Sequence, residues 1–135
     1  MDQPTVASDA QDNIFSLPNP NELGCVMKSY TINHAVMILK IIDFNNHENR
    51  LLEFQSVQYF CGPVSWTSAN FQIRPWQECV KLLIELNRIP SLAQMPLQMQ
   101  QEMGEKHFKL YVVSAINPSM DIKILASSAA FVQAA

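Results

Sequence analysis

Glycine is scarce in this chain: Gly24, Gly62 and Gly104 are the only three among 135 residues. Walker loops and dinucleotide-binding turns both need clustered glycines, so neither is expected. No serine sits in a Gly-x-Ser-x-Gly elbow. The three cysteines, Cys25, Cys61 and Cys79, are odd in number and form no Cys-x-x-Cys pair. They read as reduced thiols of a cytoplasmic protein. No apolar run approaches the ~20 residues that a bilayer span requires, so a membrane partner is not expected. Basic residues are not in excess, with nine Lys and Arg against twelve Asp and Glu. Without a basic stripe to draw a phosphate backbone, nucleic acid is not an expected partner. The N-terminus has no basic stretch ahead of an apolar one, so a secretory signal is not expected either.

What is present is ordinary for a globular domain: 48% hydrophobic residues and a net charge of −3. The acidity belongs to one end. Residues 1–24 hold Asp2, Asp9, Asp12 and Glu22 and no Lys or Arg, together with Pro4, Pro18 and Pro20. This segment reads as an extended arm, either a loose terminus, the preferred reading, or one docked on the domain or on a neighbour through Ile14, Phe15 and Leu17. Residues 25–135 read as one α+β domain.

Within that domain, Ala35 to Phe44 is apolar on both faces, which predicts an interior strand. Asn45 to Asn49 predicts a turn. Arg50 to Phe60 follows as an antiparallel partner, with a β-bulge near Gln55 and Ser56 to correct its alternation. Cys61-Gly62-Pro63 predicts another turn. Val64 to Ile73 then reads as one strand, with Val64, Trp66, Ser68, Asn70 and Gln72 on a half-solvated face. Trp76 to Ile89 has helical periodicity with an apolar arc of roughly 220°, centred near Val80 and Leu83. Pro90 is the expected stop. Ser91 and Gln94 have capping-box spacing. Ser91 to Met103 predicts a short helical connection, with Gly104 ending it in a left-handed conformation. Phe108 to Ile116 and Asp121 to Val132 predict a final hairpin, apolar on both faces. The expected fold is a mainly antiparallel sheet of about five or six strands packed on one long amphipathic helix, plus a short helical segment.

Chemistry-bearing clusters are few. Cys61, at a strand end, could act as a thiol nucleophile if His107 came within hydrogen-bond reach. Asp43, His47 and Glu48 share one turn but read as a solvated hairpin tip, and neither a metal nor a cofactor is expected. Trp66, with Tyr59 on a neighbouring strand, could anchor an interface if exposed. Met95, Met99 and Met103 recur every four residues, which suits an adaptable binding face or a filler over the core. The small residues Ala126 to Ala130 could floor a ligand pocket walled by Trp76, Phe108 and Tyr111.

The strand-rich start and single amphipathic helix are loosely similar to small bacterial accessory proteins, including some toxin-immunity proteins. That likeness is one of architecture, without a shared motif. The preferred reading is a non-catalytic domain acting by protein–protein contact, with an unknown protein or with itself as a homodimer. The alternatives are a binder of a small apolar ligand between helix and sheet, and a thiol enzyme centred on Cys61. A contiguous exposed apolar patch would favour the first reading, and an enclosed pocket of ~300 Å³ or more the second.

Overall fold

A computed structural model describes residues 12–31, 33 and 35–132. The acidic residues Asp2 and Asp9 of the arm, and His34, lie outside them. In chain order the elements are β1 (Leu23–Thr31), β2 (Val36–Asp43), β3 (Glu48–Gln55), β4 (Tyr59–Cys61), β5 (Ser65–Thr67), β6 (Phe71–Ile73), α1 (Trp76–Glu85), α2 (Leu97–Glu102), β7 (Lys109–Ala115), β8 (Met120–Ala126) and β9 (Ser128–Phe131). The strands form two antiparallel sheets, ordered β5-β1-β2-β3-β9 and β4-β8-β7-β6. This overturns the expected single sheet on one long helix. The architecture is a two-sheet sandwich with short helices on its outer side, and α1 is only 10 residues long. The likeness to small accessory proteins, which leaned on a single long helix, goes with it.

The two sheets face one another across a core that includes Met37, Leu39, Leu52, Phe54, Trp66, Phe71, Val113, Ile122 and Ile124. The four-stranded sheet is covered on its other face too. There Leu110, Val112 and Leu125 pack against Cys79, Val80 and Leu83 of α1. This is why β7 is apolar in both registers from Leu110 to Val113, whereas on the helix side of β8 only Leu125 is buried and Asp121 and Lys123 are exposed. Val80 and Leu83 are buried, as the centre of the apolar arc requires. β2 lies in the middle of the five-stranded sheet, with Met37, Leu39 and Ile41 facing inward and Val36, Ile38 and Ile42 half-buried outside.

Four boundaries depart from expectation, each for a local reason. The final strand expected over Asp121 to Val132 breaks at Ser127, whose N–H donates to the Gln55 carbonyl at 2.9 Å, into β8 and β9 of different sheets. β3 ends at Gln55, and Ser56 takes a left-handed turn (φ 51°) that carries the chain into the other sheet. No bulge is needed there; the register shift lies in β1, between Met27 and Ser29. Val64 to Ile73 is not one strand but β5 and β6 in different sheets, broken at Ser68 (φ 116°). Its polar residues do not mark a solvated face. Ser68 is fully buried, with its hydroxyl on Asn21 Oδ1 at 3.1 Å and its carbonyl accepting from Trp66 Nε1 at 2.9 Å. Finally, α1 stops before Ile89. Asn87 is left-handed (φ 53°), its N–H donates to the Ile84 carbonyl at 3.0 Å, and the Arg88 N–H donates to the Leu83 carbonyl at 3.1 Å. That is a Schellman termination with Asn in the place usually held by Gly.

The arm is docked where it is described. Asn13 N–H donates to Asn70 Oδ1 at 2.7 Å, and Ile14 N–H to the Phe71 carbonyl at 3.1 Å, along the edge of β6. Leu17 is buried. Phe15 enters a cluster of rings, with centroids 5.6 Å from Phe71, 5.8 Å from Phe131 and 6.3 Å from Tyr111. Residues 12–22 therefore take the docked alternative, closing the sandwich between β6 and β9.

Candidate partner-binding groove

The connection after α1 folds back beside it. Leu92–Gln94 form a 3-10 turn in which Ser91 makes no side-chain cap bond. Pro96, with φ −57°, leads into α2. Gln100 fixes this turn from within α2: its Nε2 donates to the carbonyls of Leu92 and Met95, both at 3.1 Å. Met103–His107 continue as a π-helical turn. Gly104 is not left-handed, as no glycine here has positive φ. It is needed for close approach, because a Cβ at this position would lie 2.7 Å from the Trp76 carbonyl oxygen. Gly104 thus lets the turn after α2 approach the start of α1 closely, and Gln100 fixes the loop that joins the two helices.

Between them runs an open trough of about 300 Å³, lined by Trp76, Gln77, Val80, Lys81, Ile84, Glu85, Leu97 and Gln100. Trp76, Val80 and Ile84 recur every four residues and form its floor along α1. Leu97 stands on the opposite wall and is 69% exposed, with Met99 nearby on α2 at 49%. Lys81 and Glu85 form the outer rim, and neither is in an ion pair with a described residue. At the start of α1, Arg74 Nη2 and Glu78 Oε2 pair at 2.8 Å, with Arg74 Nε on Oε1 at 3.0 Å. This hydrogen bonding holds the Glu78 carboxyl below its ordinary value.

The side chains singled out from sequence are scattered over the fold. Trp66 is 3% exposed, so it is no surface anchor; it packs near Phe60 inside the sandwich, with ring centroids 6.4 Å apart. Tyr59 is half-buried beneath the helical layer. Met95 and Met103 pack against the core under α1, and of the three methionines Met99 alone is exposed. The supposed ligand pocket does not assemble. Trp76 and Phe108 lie on the helix side of the four-stranded sheet, whereas Tyr111 and Ala126 lie on its sandwich side. Ala130 is in the other sheet, exposed, opposite Glu53.

Cys61 and His107 are not brought together. Cys61 pairs with Lys123 and Lys109 pairs with Ala126. Three residues of β8, roughly 10 Å at ~3.3 Å each, separate those rows, and His107 lies beyond Lys109. Cys61 is exposed and unpaired, and its neighbour on the same face is Tyr59, whose phenol is pushed up by hydrogen bonding to Cys61. Burial pushes the thiols of Cys25 and Cys79 up to about 12. At the tip between β2 and β3, Asp43 Oδ1 accepts from the Asn45 N–H and Asn46 Oδ1 from the Glu48 N–H, so these side chains shape the turn. Among the described residues, no three His, Cys, Asp or Glu side chains cluster to hold a metal ion.

The trough was missed in the sequence because its two walls come from separate segments. The only signals for it were the paired prolines, Pro75 and Pro96, each set just before a short helix. Among the described residues, no helix is long and apolar enough to cross a membrane. Comparison of the chain with family models, with curated proteins and with solved structures finds no match in any of the three.

Proposed function

We propose that this protein is a non-catalytic cytoplasmic interaction module that receives a short amphipathic helix of a partner protein in the trough between α1 and α2. The observation that carries this reading is the exposure of Leu97 opposite the apolar row Trp76, Val80 and Ile84. That row spans eight residue steps of α1, about 12 Å at 1.5 Å per residue, which matches two turns of a partner helix with anchors at i, i+3 or i+4, and i+7. Lys81 and Glu85 on the rim favour a partner with an acidic and a basic side chain flanking its apolar stripe. The open form of the trough supports a polypeptide over an enclosed small ligand.

Peptide display tests it. A library of helical peptides with varied apolar stripes is selected against the full chain. Selected peptides are expected to carry two or three apolar anchors at helical spacing and to perturb the fluorescence of Trp76. Ile84→Lys and Leu97→Lys should each weaken binding at least about tenfold. For Leu97→Lys the melting temperature should stay within a few degrees because Leu97 is 69% exposed, whereas Ile84, half-buried against the core, should also lose some stability. Peptides whose binding ignores both substitutions, or a library that yields none, would sink the reading. Saturable binding of an apolar dye without any peptide would favour a small-ligand site.

A further inference from the structure

The two end strands of the five-stranded sheet are not equivalent. β5 is guarded at Thr67: its N–H donates to the Asn117 carbonyl at 3.0 Å, and its carbonyl accepts from the Ile116 N–H at 2.9 Å. Among the described residues β9 has no comparable cover. The Val132 N–H donates to the Leu51 carbonyl at 2.8 Å, and Ala130 stands opposite Glu53. Ala130 and Val132 thus turn their backbone groups toward β3, and by the alternation of an antiparallel ladder Ala129 and Phe131 turn theirs outward. Those outward groups meet no described residue. The stretch 126–132 contains no charged residue and no proline. An edge of this kind lacks the devices that normally repel another strand.

We propose that β9 joins two copies of this chain, the strands pairing antiparallel about a two-fold axis through Ala130. The edge is complementary to itself in that register. Ala129 falls opposite Phe131 of the second copy, and both are residues whose backbone groups point outward. Each such pair closes two hydrogen bonds, and the two-fold repeats the pair. Centring the axis on Ala129 or on Phe131 closes only one such pair within the strand. The side chains agree with the backbone. Ala130 meets its own copy at a non-hydrogen-bonded position, where Cα atoms approach to ~4.5 Å and a small side chain is required. On the inner face the large Phe131 lies beside the small Ala129, and on the outer face Ser128 lies opposite Val132. With no charge along the strand, self-pairing meets no like-charge repulsion there. The result is one sheet running continuously through both copies. This surface is separate from the α1–α2 trough, and neither proposal depends on the other.

Sedimentation of the full chain at about 100 µM is expected to give twice the 15.3 kDa chain mass, and Ala130→Lys, which sets two ammonium groups face to face at an exposed position, the monomer mass with an unchanged far-UV spectrum. Register is tested by cross-linking in a Cys61→Ser background. Ala130→Cys should form a covalent dimer under glutathione disulfide, while Ser128→Cys should not. A wild-type monomer at that concentration overturns the proposal, as does a dimer that Ala130→Lys leaves intact. Cross-linking of Ser128→Cys as fast as Ala130→Cys overturns the register. A dimer seen only after removal of residues 1–11 overturns the proposal in favour of the chain's own arm as occupant of the edge.

Discussion

Asn13 and Leu17 hold one another: the Leu17 N–H donates to Asn13 Oδ1 at 3.0 Å, and Asn13 Nδ2 donates to the Leu17 carbonyl at 2.9 Å. This clasp bends the arm into a loop with Phe15 at its apex. It converts the five residues Asn13 to Leu17 into the element that closes the sandwich, and it places one ring against both sheets.

Phe15→Ala is therefore expected to destabilise the fold by roughly 2–4 kcal/mol, below the upper range for a fully enclosed ring because Phe15 remains partly exposed. Asn13→Ala should cost about 1–2 kcal/mol through its lost hydrogen bonds. Guanidinium unfolding measures both. If Phe15→Ala unfolds at the wild-type midpoint, the arm is not part of the cooperative unit.

The glycines offer a controlled contrast. A methyl at Gly104 meets the Trp76 carbonyl oxygen at 2.7 Å, which is backbone and fixed by α1. A methyl at Gly24 meets the Phe44 ring at 2.6 Å, but that ring is 58% exposed and can swing away. Gly104→Ala should cost about 1–3 kcal/mol as α1 and the π-turn are forced apart, and Gly24→Ala less than about 1 kcal/mol. Gly104→Ala should also widen the trough. Equal melting temperatures for the two variants would contradict the close approach.

Alkaline stability should follow the buried thiols. Cys25 and Cys79 ordinarily titrate at 9.0, and burial raises both to about 12. Above pH 9 the unfolded chain has lost these protons while the folded one keeps them, so stability falls as pH rises toward 12. Below pH 9 their contribution is complete. Tyr111, also raised to about 12 by burial, adds to the same fall above pH 10. The wild-type denaturation midpoint should drop between about pH 8 and about pH 11, and Cys25→Ala and Cys79→Ala should each flatten that drop even though they lower stability at neutral pH. A flat wild-type profile across that range would rule out thiol-linked unfolding.

Legibility in the sequence followed how each residue satisfies its surroundings. Where burial is apolar on both faces, as at Leu110 to Val113, the pattern revealed a strand covered from both sides. Val80 and Leu83 were legible for the same reason. Ser68 and Asn70 misled because a polar residue in a strand suggests water, yet here Ser68 is enclosed and bonded to Asn21, Trp66 and the Asn70 N–H. With that break hidden, two strands merged into one and two sheets into one. Asn87 carried a readable stop signal, but Pro90 offered a louder one three residues later. Beyond Pro75 and Pro96 the trough had no local signature, since Leu97 becomes meaningful only once Gly104 has brought its helix against Trp76.

The contact between Phe15 and Phe131 has a consequence for synthesis. On the ribosome, residue 15 emerges early and has nothing to close against. Its ring partners arrive in order at residues 54, 71, 111 and 131. β9 must also reach back to β3, across more than seventy residues of chain. Such distant pairings carry a heavy loop-closure cost and form slowly. An emerging chain can form the hairpins of β1 to β3 by itself, but its seal waits for the last strand. During that interval Phe15, Phe54 and Phe71 stand open to water, and the nascent polypeptide is a natural client for chaperones that hold exposed aromatic segments.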